Sequence, residues 1–229
     1  MGITVYGKKD TPVIRGVLFD MDGLVLDTEK LYTRFWMEAC HFYGFPMTLE
    51  QALRMRAANS KLSQANLHEF FGPTADYTTI RSKRIELMDA YIAEHGIEAK
   101  PGIYELLDYL DAKGIPAAIT SSSPVTWIEK HLSARNLYHR FAKICSGYQV
   151  PHGKPAPDIY LYGAESLGLA PENCLALEDA PLGIESAFRA GCFPVMIPDQ
   201  DEPDENVKRM LFARGDTLRD VIDLLEQYR

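Results

Sequence analysis

The sequence has few cysteines and no clustered histidines, which excludes several classes of metal and redox proteins. Its four cysteines are widely separated in a chain of 229 residues, and none forms a CxxC pair. We therefore interpret them as reduced, structural thiols of a cytosolic protein. The six histidines show neither HxxxH nor HxH spacing, so a zinc site is not expected.

A net positive charge and long apolar runs are also missing. The formal net charge of −8 argues against a nucleic-acid partner, because phosphate backbones require clustered lysines and arginines. A small anionic substrate is compatible with this net charge, because the binding of a small anion depends on local charge and on backbone N–H groups. No apolar run reaches membrane-spanning length, and the N-terminal MGITVYGKKDTP has no apolar signal core. We therefore expect a cytoplasmic protein without a membrane partner and, by default, a monomer.

What is present is the composition of an ordinary globular protein. Hydrophobic residues make up 46% of the chain and charged residues 24%, without a low-complexity segment, so a large buried core is expected. A length of 229 residues suits one large domain, or a core with a smaller second unit.

Short apolar segments alternate with helical patterns over most of the chain. Buried strands are predicted for VIRGVLFD, IPAAIT, FAKICSG, NCLALED and FPVMIPD, and helical patterns separate the later ones. This alternation predicts right-handed βαβ units and a doubly wound, Rossmann-like parallel sheet of the α/β class. A dinucleotide-binding module is disfavoured because no GxGxxG follows the first strand.

The segment 29–97 interrupts this alternation with helical patterns alone. It contains apolar residues at helical spacing, and Thr48 is an N-cap candidate with Gln51 three residues later. We predict about four helices and no strand in this segment. The predicted organisation is an α/β core of residues 12–28 and 98–229 that carries an inserted, all-helical domain of residues 29–97.

Polar side chains follow three of the predicted strands, and a lysine precedes one of the helices. In an open parallel sheet, ligands bind outside the carboxyl ends of the strands, so these side chains are expected to converge. They are Asp20, Asp22, Thr120, Ser121, Lys154, Glu178 and Asp179. Four carboxylates, two hydroxyls and a lysine at one sheet edge are the composition of a site for a divalent metal and a phosphate.

Each of these residues also has an ordinary structural interpretation. The acids after the first strand fit turn caps, and residues 120–123 fit a polar loop. Lys154 fits an exposed surface lysine, since lysine is rarely buried. Glu178 and Asp179 fit N-caps of the helix that follows them. The combination is more specific than any single member, because each motif alone is only a hypothesis.

The same residues lie in four segments that resemble, in order, the motifs of the haloacid-dehalogenase-like phosphotransferase superfamily. The segments are DMDGLVLDT, the apolar run into Thr120, GKPAPD and LEDAPLGIESAFRAG. The resemblance covers the chain from roughly Val13 onward, and the helical insert resembles that superfamily's first type of cap domain. Within the superfamily, the sequence is most similar to β-phosphoglucomutase-like and pseudouridine-phosphatase-like hydrolases.

This resemblance implies a phosphatase that forms an aspartyl-phosphate. Asp20 would be the nucleophile, and Asp22 the general acid that protonates the leaving oxygen and then the base that activates water. A spacing of two lets one acid reach phosphorus while the other reaches the bridging oxygen, and Gly23 allows the chain to turn there. An acid at position 22 favours phosphoryl transfer over dehalogenation, which needs no acid at that place.

The resemblance also implies a Mg²⁺ cofactor. Its ligands would be Asp20, the backbone carbonyl of Asp22, Asp179, and Glu178 beside them or through water. Mg²⁺ suits a set of carboxylates, a carbonyl and waters, and it would neutralise the charge of an anion attacking an anionic phosphate.

A phosphate-binding group is implied in the same way. The Met21 backbone N–H, the Thr120 hydroxyl and the Ser121 backbone N–H would contact phosphate oxygens. Lys154 would neutralise the charge of the phosphate and the nucleophile, as a catalytic and phosphate-binding residue. Asp158 would support the loop that carries this lysine.

Two alternatives to a phosphatase stay open: a β-phosphoglucomutase-type phosphotransferase, and a non-catalytic regulatory member of the same fold. Mutases that resemble this chain carry a histidine where Tyr32 stands, and their arginine-containing cap loop is not evident in RAANSKLSQ. We therefore favour hydrolysis of a small phosphorylated metabolite. The complete set of site residues argues against a regulatory protein. We expect the helical insert to set the substrate specificity. Candidate residues for contacts with the substrate include Arg54, Arg56, Asn59 and Lys61.

Overall fold

The structure, a computed structural model, describes residues 2–6, 13–55 and 60–228. The chain divides into two compact units. The core unit consists of Met1–Asp27 and Glu98–Arg229, and the helical unit consists of Thr28–Ile97. The candidate residues Arg56 and Asn59 lie outside the described residues.

A seven-stranded sheet forms the centre of the described part of the core unit. Its strands are β1 (Thr4–Val5), β2 (Gly16–Phe19), β3 (Ala117–Ser121), β4 (Lys143–Ser146), β5 (Cys174–Glu178), β6 (Phe193–Met196) and β7 (Ala213–Arg214). They lie in the order β1-β7-β6-β5-β2-β3-β4, and all neighbours are parallel except β1, which runs antiparallel to β7. The predicted α/β class is confirmed. The antiparallel edge pair was not predicted, because a two-residue strand is too short to show a sequence alternation.

Helices connect the strands and make up the helical unit. They are α1 (Glu29–Phe42), α2 (Leu49–Arg54), α3 (Ser60–Phe71), α4 (Tyr77–His95), α5 (Ile103–Lys113), α6 (Val125–Ser133), α7 (Asp158–Ser166), α8 (Pro181–Ala190), α9 (Glu205–Met210) and α10 (Asp220–Gln227). The first four belong to the helical unit, in agreement with the predicted all-helical insert. No helix in the described ranges combines the length and the apolar character needed to cross a membrane.

The order in which the chain adds strands to the sheet reverses at β2. The chain adds β3 and then β4 on one side of β2, and afterwards β5, β6 and β7 on the other side. Such a reversal leaves a crevice outside the carboxyl ends of the strands, where α/β proteins bind ligands. The residues that follow β2, β3 and β5 therefore face a common position.

The central strand is buried on both of its faces. Val17, Leu18 and Phe19 have no solvent exposure, as expected for a continuous apolar run in a parallel sheet covered by helices. Leu18 shares a hydrophobic cluster with Tyr160 of α7 and Ala187 of α8. This packing fixes the end of β2 against two helices that also contribute to the site.

The helical unit has its own apolar core. Trp36 and Ala39 of α1 pack with Leu67 of α3 and Ile80 of α4. Helix α2 begins at the predicted cap: the Thr48 hydroxyl accepts a hydrogen bond from the Gln51 N–H, and the Gln51 side chain accepts one from the Thr48 N–H. The unit therefore has the size and the internal contacts of a small domain, and its sequence is inserted after β2.

The four cysteines are free and buried, in agreement with the predicted structural thiols. Burial raises the pKa of Cys40 and Cys174 to about 12. A thiol with such a pKa carries almost no thiolate at neutral pH and is chemically inert.

Candidate active site

The site begins where β2 ends. The Asp20 N–H still donates to the Leu177 carbonyl of β5, at 3.0 Å, so this acid is held in the extension of the sheet. The chain then turns at once: the Met21 carbonyl accepts hydrogen bonds from the Val25 and Leu26 N–H groups, at 2.9 and 3.0 Å. Gly23 has a φ of 89°, a left-handed conformation that a residue with a side chain rarely adopts. The chain therefore leaves the sheet directly after Asp20, with Asp22 inside the turn.

Lys154 is buried between two carboxylates. Its Nζ lies 2.5 Å from Asp20 Oδ1 and 2.6 Å from Glu178 Oε1, and its side chain is 11% exposed. The interpretation as a surface lysine is therefore wrong. Burial alone lowers the pKa of Lys154, but the two adjacent carboxylates outweigh burial and raise it well above the usual value. The lysine is thus a permanent positive charge at the end of β2.

Glu178 is held by three features of the fold. Its Oε1 accepts hydrogen bonds from Lys154 Nζ, at 2.6 Å, and from the Tyr160 hydroxyl of α7. A Cβ at Gly183 of α8 would lie 1.9 Å from the Glu178 carboxyl carbon, so this helix approaches the acid only because position 183 lacks a side chain. Both donors bind the same oxygen, which leaves Oε2 as the oxygen for a further ligand.

Burial of these groups changes their ionisation. Burial raises the pKa of Glu178 to about 7, the charge of Asp20 adds to the rise, and Lys154 opposes it. Burial, followed by the charge of Glu178, raises the pKa of Tyr160 well above its usual value, so its hydroxyl stays a donor at neutral pH. The site therefore contains more negative charge than its single lysine neutralises.

Asp22 is held by the loop after β3. The Ser123 hydroxyl donates to Asp22 Oδ2 at 2.8 Å, and the Ser121 hydroxyl lies 3.4 Å from the same oxygen. Ser121 Oγ also accepts the Ser123 N–H at 3.0 Å. The loop 121–123 therefore orients the carboxylate of Asp22. The interpretation of this segment as an ordinary polar loop does not account for these contacts.

The expected phosphate contact of the Thr120 hydroxyl does not agree with the structure. Thr120 is fully buried, and its hydroxyl donates to the Phe19 carbonyl at 3.1 Å. Its Cγ2 faces α7, where a Cβ at Gly163 would lie 2.6 Å away. Successive side chains of a strand point to opposite faces, so Ser121, one residue further, supplies the hydroxyl at the site. The sequence prediction was therefore wrong by one residue.

Two other predicted residues have supporting positions. The Met21 side chain is completely buried, which is compatible with a role for its backbone alone. Asp158 Oδ1 lies 3.0 Å from His152 Nδ1, and His152 belongs to the loop that carries Lys154. Asp158 is therefore in contact with the lysine loop.

Three carboxylates meet in a geometry that fits a metal ion. One oxygen each of Asp20, Glu178 and Asp179 lies within 4.8 Å of the others, and all three residues are buried. With one lysine against three acids, the group has an excess of two negative charges when all three acids are ionised, and a divalent cation would neutralise that excess. An all-oxygen set suits Mg²⁺. The N-cap residue of helix α8 is Ala180, so neither Glu178 nor Asp179 occupies that position.

Of the candidate specificity residues in the helical unit, two are described. Arg54 pairs with Glu69, its Nη2 lying 2.8 Å from Glu69 Oε2, so this charge is already neutralised. Lys61 is exposed on α3.

Sequence reasoning missed three residues of the site. Tyr160 follows the segment GKPAPDI in a helix whose apolar spacing indicates packing, and Gly183 resembles any glycine of a helix. Ser123 lies in TSSSP, and the number of serines there was the only signal that pointed to it. Their roles depend on contacts between distant segments, which local patterns do not contain.

An α/β sheet that gathers carboxylates, hydroxyls and a lysine at its switch point has the arrangement of enzymes that act on phosphate esters with a divalent metal. The family model of the haloacid dehalogenase-like hydrolases matches residues 17–197, and the chain belongs to this family.

Relatives of this chain include phosphatases and a mutase. Hexitol phosphatase A of Escherichia coli (strain K12) is 33% identical over 186 residues, which cover 80% of this chain and 82% of the relative. Beta-phosphoglucomutase of Bacillus subtilis (strain 168) is 28% identical over 225 residues, covering 94% and 97%. The crystal structure of a HAD family hydrolase from Deinococcus radiodurans R1, with bound phosphate and sodium, superimposes with a TM-score of 0.78 at 26% identity, covering 95% and 97%. The fold and the phosphatase class therefore agree with the geometry of the site.

Proposed function

We propose that this protein is a Mg²⁺-dependent phosphomonoester hydrolase that acts on a small phosphorylated metabolite through an aspartyl-phosphate on Asp20. The observation that supports this most is the position of Asp20. Its carboxylate touches Lys154 and lies in one buried group with Glu178 and Asp179, while Asp22 is oriented two residues further by Ser123.

In the first step, a carboxylate oxygen of Asp20 attacks phosphorus as the bond between phosphorus and the leaving oxygen breaks. Asp22, protonated at this stage, gives its proton to the leaving oxygen, which departs as an alcohol. Lys154 neutralises part of the charge that two anions bring together. Ser121, with a hydroxyl close to Asp22, replaces Thr120 as the proposed hydroxyl contact of the phosphate.

In the second step, Asp22 is ionised and removes a proton from a water molecule. The water oxygen attacks phosphorus, the bond to Asp20 breaks, and inorganic phosphate and the free carboxylate are regenerated. The backbone N–H groups of Met21 and Ser121 are proposed to bind phosphate oxygens in both steps. No proton is gained or lost by the protein over the complete cycle.

Mg²⁺ would be held by Asp20, Glu178, Asp179 and the backbone carbonyl of Asp22, and when bound it stabilises negative charge on the phosphoryl group. Glu178 offers Oε2, because its other oxygen accepts from Lys154 and Tyr160. The three carboxylates are buried close together and repel one another, and a bound cation would relieve this repulsion. The set of donor atoms therefore supports the assignment.

Hydrolysis is proposed over the mutase reaction because of the helical unit. Tyr32 occupies the place of the histidine that resembling mutases carry. An imidazole at that place would exchange protons near neutral pH, and Tyr32 supplies no imidazole. The helical unit is proposed to be the cap that selects the substrate.

The test is phosphate release from a panel of phosphomonoesters, which includes β-glucose 1-phosphate, with Mg²⁺ and with EDTA. Asp20→Asn removes the nucleophile, and Asp108→Asn is the matched control, since Asp108 is an exposed acid on α5 paired with Arg140. We expect metal-dependent release that Asp20→Asn abolishes and Asp108→Asn preserves.

Formation of glucose 6-phosphate without free phosphate would replace hydrolysis by the mutase reaction. Equal release by the wild type and Asp20→Asn would refute the assigned nucleophile. Tight Mg²⁺ binding without turnover of any ester in the panel would favour the regulatory alternative.

A further inference from the structure

The helical unit contains a buried arginine, Arg84, in the interface between α4 and α1. Arg84 is 8% exposed. Its Cζ lies 4.8 Å from the centre of the Tyr32 ring and 5.2 Å from that of the Trp36 ring. The guanidinium is therefore enclosed mainly by aromatic side chains of the neighbouring helix.

Arg84 has no acidic partner among the described residues, and in this it differs from other cations of the helical unit. Arg34 pairs with Glu38 at 2.7 Å, Arg54 with Glu69 at 2.8 Å, and Lys83 with Glu86 at 2.6 Å. These three pairs are more exposed than Arg84, which forms no ion pair with any described carboxylate.

The environment of Arg84 is unfavourable for a positive charge. The enclosed Nε donates to no acceptor in the described part of the chain. Burial lowers the pKa of Arg84, Tyr32 partly opposes this, and the charge of Arg81 lowers it further. The guanidinium nevertheless stays protonated at neutral pH, because arginine does not lose its proton in proteins.

Two aromatic rings and one hydrogen bond with the Tyr32 side chain do not compensate a buried guanidinium. The cation–π attraction is smaller than the cost of removing an ion from water, and that cost is recovered only when an anion or several hydrogen-bond acceptors approach the charge. Proteins retain such an unfavourable group where it serves binding, since binding sites are a common exception to optimal stability.

We propose that Arg84, with Tyr32 and Trp36, forms a binding site for an oxyanion, a carboxylate or a phosphate, on the helical unit. The planar guanidinium fork matches the two oxygens of such a group. The faces of Tyr32 and Trp36 attract the cation and repel an anion, so the rings hold the guanidinium while its nitrogen edge receives the ligand. The oxyanion belongs either to the substrate, as a second anionic group, or to a separate ion.

The first experiment measures the oxyanion directly and does not depend on the proposed function. The chain has two tryptophans, so Trp127→Phe leaves Trp36, beside Arg84, as the only indole reporter. Sodium sulfate is titrated against sodium chloride of equal ionic strength. We expect a saturable change of Trp36 fluorescence that disappears with Arg84→Met and persists with at least tenfold weaker affinity in Arg84→Lys.

The second experiment rests on the proposed hydrolase and identifies the source of the oxyanion. Glycerol 3-phosphate and 3-phosphoglycerate differ in one group, CH₂OH against a carboxylate. If the substrate supplies the oxyanion, Arg84→Met raises KM for 3-phosphoglycerate at least tenfold and leaves KM for glycerol 3-phosphate within twofold. If a separate ion binds, the sulfate response depends on Arg84 and the ratio of the two KM values is unchanged.

A control separates binding from folding. Arg84→Met is expected to unfold cooperatively at the same or a higher Tm without sulfate, because an uncompensated charge has been removed. Where Arg84→Met does not fold, the sulfate affinity of Arg84→Lys decides. A sulfate response that is absent or independent of Arg84, together with an unchanged KM ratio, overturns the proposal. If no ester is hydrolysed but the sulfate response depends on Arg84, the proposed hydrolase function is refuted and the proposed oxyanion site is supported.

Discussion

The core unit and the helical unit each contain a buried cation, but the groups that surround the two cations differ. In the core unit, Lys154 lies within 2.6 Å of two carboxylates and compensates part of a dense negative charge. In the helical unit, Arg84 lies against two aromatic rings without a described acidic partner. In each unit the excess charge is therefore opposite in sign to the proposed ligand, which is a cation for the core unit and an oxyanion for the helical unit.

The largest effect is expected when the compensation in the core unit is removed. Lys154→Met leaves Asp20 and Glu178 buried without their partner, so we expect the free energy of unfolding to fall by about 4 kcal/mol and activity to be lost. Urea denaturation in EDTA measures the change. Lys113→Met is the control, because Lys113 is a surface residue paired with the exposed Glu226. Similar losses in the two variants would contradict the special burial of Lys154.

The next effect tests the close approach of α8 to the carboxylate group. Gly183→Ala places a methyl group on Glu178 and is expected to reduce stability by about 3 kcal/mol, together with most of the activity. Gly153→Ala is the matched control, since a Cβ there meets no atom within 4 Å. Alanine ordinarily stabilises a helix interior relative to glycine. A gain of stability in Gly183→Ala would therefore show that Glu178 is not where we place it.

The charge excess of the core unit also predicts a dependence of stability on pH. Burial raises the pKa of Glu178 to about 7 in the folded protein, against about 4.3 for an unperturbed glutamate. The folded state binds the proton more tightly, so this contribution is complete below the unfolded pKa and is lost as the pH rises through 7.

In EDTA, we expect the free energy of unfolding to fall by about 2 kcal/mol between pH 5 and pH 7.5 because of this group. Glu178→Gln should flatten that slope. Mg²⁺ should raise stability most at the upper end of the range, because the cation binds the ionised carboxylate. An identical pH slope in wild type and Glu178→Gln would exclude Glu178 as the titrating group.

The smallest effect concerns the second donor to Glu178. Tyr160→Phe removes one hydrogen bond in the core unit and is expected to cost about 1 kcal/mol of stability and about tenfold in Mg²⁺ affinity. The midpoint of thermal stabilisation by Mg²⁺ measures that affinity without an activity assay. Tyr162→Phe, on the same helix, serves as the control. An unchanged Mg²⁺ midpoint would limit Tyr160 to packing.

Predictions from local sequence succeeded where a residue's role depends on its immediate neighbours. The apolar run before Asp20 specified the central strand, and Thr48 with Gln51 specified the start of α2. Thr120 was assigned wrongly because the end of a strand, and with it the face of each side chain, is not visible in a short apolar run. Tyr160 was missed because an aromatic residue at helical spacing is the ordinary signature of packing.

The fold class, the position of the helical insert and the acids and lysine of the candidate site were all predicted from the sequence. These depend on hydrophobic periodicity and on residue type at strand ends, which are local properties of the chain. Two findings needed the folded chain: the Ser121 hydroxyl, and not that of Thr120, lies beside Asp22, and Arg84 forms no ion pair with a carboxylate of the described residues. Both outcomes are set by burial and by contacts between residues far apart in sequence, and a one-dimensional pattern contains neither.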